Sequence, residues 1–165
     1  MIPNNFTSKS QEAIQVAQML ANENGQQAVD PIHLLASLIN QDAGIIPSLL
    51  QKMKINVNRL ISQVDQILQS LPKNFGFNQS GMGQVLLSPA LAKTMQNSAN
   101  QAKQFGDDFI STEHLFLALL QNKQVAQFLT GQGIEVKPTL EALKDVRGNQ
   151  KVDSADPEAK FQALE

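Results

Sequence analysis

Two residues, His33 and His114, are the chain's first candidates for acid–base work or metal binding, because imidazole titrates near neutral pH and ligates metals readily. Neither has a His or a carboxylate four residues away, the spacing that would put a second ligand on the same helical face. Glu113 lies next to His114, and adjacent helical residues point in different directions, so that pair does not converge as general acid–base catalysis requires. The chain holds no cysteine, which excludes thiolate nucleophiles, disulfides and Cys-ligated zinc. A phosphate-binding loop needs Gly-Lys-Ser/Thr after a Gly-rich turn, and the glycines between Gly76 and Gly81 and at Gly131 and Gly133 lack it. No Gly-x-Ser-x-Gly elbow occurs. The expectation is therefore no catalytic residue, no metal site and no cofactor in this chain.

One cluster is harder to set aside. Gly106-Asp107-Asp108-Phe109-Ile110-Ser111-Thr112-Glu113 gathers acids just ahead of a helix. Carboxylates favour a helix N-terminus through the helix dipole, so the cluster reads either as local electrostatics or as a site.

The elements that must hold these residues come in two copies. Laid on itself at an offset of 81, the sequence matches Phe6–Ile39 to Leu87–Leu120 without a gap. Gly25 falls on Gly106, His33 on His114, Leu34 on Leu115, and Val29 meets Ile110. After a two-residue deletion, Ile55-Asn56-Val57 meets Ile134-Glu135-Val136. The repeat-equivalent histidines point to one packing or capping role used twice.

Each copy reads as four helices, giving an all-α fold of eight helices in two pseudo-repeats of a four-helix unit. Thr7 is placed to cap the first helix, Gly25 to end it in a left-handed turn, and Asp30-Pro31 to open the second. A third covers about 47–53, and Asn56 caps a fourth that stops before Pro72. The second copy runs from Ser88-Pro89 to Gln104, from Thr112 to Asn122 behind Ser111, over 125–130, and over 137–147. Alternating apolar patterns that would signal strands are absent. The domain is expected over 1–147, with repeat one at 6–71, a linker at 72–87 and repeat two at 88–147. Residues 148–165 lose periodicity and end on Phe161-Gln162-Ala163-Leu164-Glu165, expected to continue into a further module.

A net charge of −2 with no Lys/Arg block argues against nucleic acid, whose phosphates need such a block. No apolar run approaches the ~20 residues a bilayer requires, and the N-terminus lacks a signal-peptide pattern. A cytoplasmic protein is expected.

The passages Pro31-Ile32-His33-Leu34-Leu35-Ala36-Ser37-Leu38 and Ser111-Thr112-Glu113-His114-Leu115-Phe116-Leu117-Ala118-Leu119-Leu120 resemble the duplicated motif of Clp N-terminal domains. Asn5–Ala13, Gly83–Pro89 and Pro157–Glu165 resemble the ClpB-type disaggregase branch of that family. The resemblance implies an accessory, non-enzymatic domain tethered to a hexameric AAA+ ring. It would bind unfolded or aggregated protein weakly through an apolar groove and pass it on for ATP-driven threading. The isolated domain would be monomeric, and a DnaK-type chaperone system a partner of the whole. It also implies substrate handling by Thr7, Asp107 and Glu113, the two acids being dispensable for folding. Asn97 and Gln101 stand where such relatives often carry leucines. The alternative is an adaptor-docking domain of a ClpA/ClpC-type protease chaperone.

Overall fold

The computed structural model describes residues 3–73, 86–148, 151–153 and 155. Most of the expected linker (residues 74–85) and most of the expected C-terminal segment (149–150, 154 and 156–165) lie outside the described residues.

Eight helices form among them: α1 Ser8–Glu23, α2 Pro31–Ile39, α3 Ile45–Lys52, α4 Val57–Ser70, α5 Pro89–Gln104, α6 Thr112–Leu119, α7 Lys123–Gly131 and α8 Val136–Arg147. The local grammar explains most of their limits. The side chains of Thr7, Asn56, Ser88 and Asn122 accept N–H groups of Ser10, Arg59, Leu91 and Val125, relieving donors that the first helical turn leaves unpaired. Asn122 is also why α6 ends at Leu119 and not at Asn122 as expected, since that side chain opens α7 instead. Gly25 and Gly106 have φ of 70° and 71°, and past each the chain closes in the same way: Gln26 N–H bonds the Ala21 carbonyl, Asp107 N–H that of Ala102.

In α2, every residue but Ile32 is buried, and in α6 every residue is. A helix apolar all round must sit inside, so these two pack together as the centre, with α1 laid on α2 and α5 on α6. The other helices are one-sided. Leu60, Val64 and Leu68 are the buried face of α4, four residues apart along its axis. The copies then diverge: α4 packs on α2 of its own copy, whereas α8 packs on α3 of the other.

Strand pairing, not expected from sequence, joins the copies. Ala28–Val29 (β1) pairs in parallel with Leu86–Leu87 (β2), and Phe6 bridges to Ile110. Under the repeat these are one contact made twice, for position 6 corresponds to 87 and 29 to 110. Thr7 N–H donates to the Ile110 carbonyl at 2.9 Å, and Ser88 N–H to that of Val29 at 3.0 Å. Each copy thus lends the segment before its first helix to the segment before the other's second. Two residues are too few to show the period-2 alternation by which strands are read.

Candidate functional site

The histidines do the same thing twice. His33 Nδ1 accepts the backbone N–H of Asp30 at 2.9 Å, and His114 Nδ1 accepts that of Ser111 at 2.9 Å. Each is the third residue of its helix reaching back to the N-cap, the reciprocal half of a capping box. Because Nδ1 accepts, the neutral ring carries its proton on Nε2. That nitrogen faces Gln26 Oε1 at 3.1 Å in copy one and Asp107 Oδ2 at 2.8 Å in copy two. Burial holds the His33 imidazole below its ordinary value, against the charge and backbone bond of Asp30. With both nitrogens engaged, neither ring has a lone pair for a metal. Among the described residues no group of three or more His, Asp or Glu is assembled for one.

Copy two brings together groups that sequence spacing keeps apart. Ser111 Oγ lies 3.0 Å from His114 Nδ1, and His114 Nε2 lies 2.8 Å from Asp107, the order of a Ser-His-Asp triad. A nucleophile must reach a substrate carbonyl, yet Ser111 and His114 are 0% exposed. Copy one keeps the same cap with Asp30 and Gln26 at the equivalent positions, neither of which could serve such a triad. The arrangement is a helix cap enclosed in the core.

Asp107 is the junction of the site. Besides the His114 bond, its Oδ1 accepts Arg147 Nη2 at 2.7 Å and the backbone N–H of Val152 at 3.0 Å. Burial alone would raise its pKa. The bonds from His114, Arg147 and Val152 and the guanidinium charge outweigh that and hold the carboxyl well below the usual carboxylate range. Arg147 Nε lies 3.7 Å from Glu113 Oε2, and neither oxygen of Glu113 accepts a hydrogen bond. The Arg147 guanidinium carbon sits 5.3 Å from the centre of the Phe105 ring, and the centre of the His114 ring lies 5.5 Å from that of Phe105.

All three residues expected to handle substrate are interior: Thr7 and Glu113 are 0% exposed and Asp107 8%. Thr7 caps α1 at the joint between copies, and Ser10 Oγ, which takes the Thr7 hydroxyl, donates to the Ile110 carbonyl at 2.9 Å. The structure therefore gathers Thr7, Asp107 and Glu113 around the segment from Phe105 to Glu113, but in none of them is the side chain presented at the surface. Each acid is buried beside Arg147, and removing one charge of such a group alone leaves the others without a partner. Arg147 and Val152 lie 40 and 45 residues from Asp107, a separation that no local pattern bridges. One signal was available: Arg147 is the only charged residue on the buried face of α8.

Among the clefts lined by described residues, two have largely apolar walls. One, of about 250 Å³, lies between Phe105 and the Leu140 and Leu143 side of α8, with Arg147 and Lys151 on its rim. The other, of about 200 Å³, lies between the copies, lined by Ile32, Ile67, Leu71, Val125 and Phe128. Asn97 and Gln101 line neither. No helix among the described residues is long and apolar enough to cross a membrane.

An all-α pair of four-helix units, joined by exchanged strand segments and carrying one His-capped helix per copy, defines the class. Residues 5–132 match the Clp repeat (R) N-terminal domain family, and the chain belongs to that family. Within it, the chain is similar to the chaperone protein ClpB. That of Bacillus anthracis is 35% identical over 163 residues, covering 98% of this chain and 19% of the relative. That of Bacteroides thetaiotaomicron is 36% identical over 163 residues, covering 98% and 18%. The chain thus spans less than a fifth of the length of these curated relatives. Among solved structures, the Hsp104 N-terminal domain from Candida albicans superposes with a TM-score of 0.82 at 19% identity, over 94% of this chain and 99% of that one. The N-terminal domain of ClpD from Arabidopsis thaliana gives 0.61 at 20%, over 86% and 96%. At these identities the two solved structures share the fold.

Proposed function

We infer that this domain is the substrate-recognition part of a ClpB-type protein disaggregase in the cytoplasm. It holds unfolded or aggregated polypeptide weakly and hands it to the AAA+ ring of its own longer chain, a hexamer. The observation that carries this reading is the cleft between the copies, where the partly exposed side chains of Ile32, Ile67, Leu71 and Phe128 are gathered on one concave surface. Its apolar side chains offer non-directional contact, which suits clients of unrelated sequence, although Asp30, Asn122 and Gln124 also line it. Seating one or two client side chains would contribute about 1.5–3 kcal/mol each. Association costs at least about 4 kcal/mol, so at most about 2 kcal/mol remains, less than the roughly 4 kcal/mol of a millimolar complex, and binding through this cleft alone is weak. Thr7 serves client handling from the interior by fixing the joint between copies, and Asp107 and Glu113 do so from within copy two, without touching the client. The domain itself uses no cofactor, ATP being consumed by the ring, and a DnaK-type system supplies clients.

The test is an NMR titration of the chain with a reduced, carboxymethylated protein as unfolded client. Shifts centred on Ile32, Ile67 and Phe128 are expected, and Ile67→Glu should abolish them. Saturable binding of folded proteins with no response to the unfolded client would move the reading to the adaptor-docking role of a ClpA/ClpC-type chaperone.

A further inference from the structure

Copy one is an internal control for copy two. At the offset of 81, Gln26 stands on Asp107 and Ile32 on Glu113; beyond the two-residue deletion, Leu68 stands on Arg147. Three charged positions in one copy are thus all neutral in the other, and the equivalent histidine cap forms in both. Taking ions out of water costs several kcal/mol each, and attraction repays this only when the geometry is excellent and every oxygen finds a donor. Glu113 fails that condition, with no hydrogen bond to either oxygen and its guanidinium partner at 3.7 Å. The histidine cap forms without the three charges in copy one, so the cap does not require them.

Their other contact is with the chain that follows α8. Val152 is 0% exposed. Its N–H donates to Asp107, and its carbonyl accepts the N–H groups of Asp108 and Phe109 at 2.9 and 3.1 Å. Farther on, the Ala155 carbonyl accepts the N–H of Ser8, the first residue of α1, at 2.8 Å. In copy one the corresponding link among the described residues is neutral, Gln26 Nε2 to the Pro72 carbonyl at 3.4 Å, near the limit of a hydrogen bond. The Phe105 ring under Arg147 is replaced there by Asn24.

We propose that Arg147 is a positioning residue which, with Asp107 and Glu113, forms a charged latch seating the chain after α8 against the loop 105–110. The latch fixes the direction in which that chain leaves the helices; it is not what keeps them folded. This goes beyond client recognition and does not depend on it.

The test transplants copy one's residues into the 165-residue chain as Asp107→Gln, Glu113→Ile and Arg147→Leu together. By analogy with Gln26, the new glutamine gives its oxygen to His114 and turns its NH₂ toward Val152, where it cannot accept the Val152 N–H. Expected are a thermal midpoint close to that of the parent chain and unchanged amide exchange at Leu38 and Leu117. Exchange at Val152 and Ser8 should be at least about tenfold faster, a local opening that leaves the core intact. A merely structural role would move core and latch amides together. A triple variant that fails to fold overturns the proposal, because the charges then belong to the scaffold. So does a folded variant whose Val152 and Ser8 amides keep their protection.

Discussion

Replacing Arg147 by leucine, with nothing else changed, separates a buried ion network from ordinary packing. In the parent, Arg147 is 7% exposed, donates to Asp107 at 2.7 Å and lies 3.7 Å from Glu113. Asp107 would keep its bonds from His114 and Val152, but Glu113 would remain a 0% exposed carboxylate without a cation or a donor. Removing one partner of a buried pair costs about 3–5 kcal/mol. In a domain of this size each kcal/mol moves the midpoint by about 2–4 °C, so Arg147→Leu should lower it by roughly 6–20 °C. Adding Glu113→Ile removes the stranded charge and gives the residue types that copy one has at the equivalent positions, Ile32 and Leu68. The double variant should therefore be more stable than the single one. Urea unfolding followed by far-ultraviolet circular dichroism measures all three proteins. A cost below about 1 kcal/mol for Arg147→Leu, or a double variant no more stable than the single one, would refute the reasoning.

Acid should weaken the domain in two steps. His33, with its folded pKa below the ordinary 6.5, resists a proton that the unfolded chain accepts, so its contribution is whole above 6.5 and erodes as pH falls below it. Asp107, held below its ordinary 3.8, contributes fully above that value and is lost as pH falls beneath it. Urea midpoints across pH show both, and His33→Gln, which keeps a side chain able to cap at that position, should erase only the first. Lys54 has φ of 64°, as its repeat equivalent Gly133 has φ of 83°; relieving that strain outweighs the added unfolded-chain freedom, so Lys54→Gly should stabilise by up to about 1 kcal/mol in thermal melts. A loss of stability would mean that the Lys54 side chain contributes more than its backbone costs. Saturating zinc should leave the melting midpoint where it is, since both nitrogens of each histidine are engaged; a rise of several degrees would reveal a site of real affinity.

Much of this protein is written in short-range sequence. The eight helices, their Thr, Asn and Ser caps, the left-handed glycines at 25 and 106 and the doubled histidine follow from interactions within about one helical turn, whose residues stand side by side in the sequence. The repeat register adds the equivalence of the copies, and the motif around each histidine identifies the family. What the acids do could not be read this way. Asp107 and Glu113 have the local signature of helix-entry charges, and only the tertiary structure turns them inward to meet Arg147. That meeting depends on where α8 comes to rest, against α3 of the other copy, which no pattern within α8 specifies. The exchanged strand segments, 6 with 110 and 29 with 87, are hidden for the same reason, because two-residue pairings carry no periodicity. Local sequence sets which backbone groups need partners near at hand. Which charges lose their water is decided by packing between distant segments, and a buried carboxylate can be recognised only once its surroundings are in place.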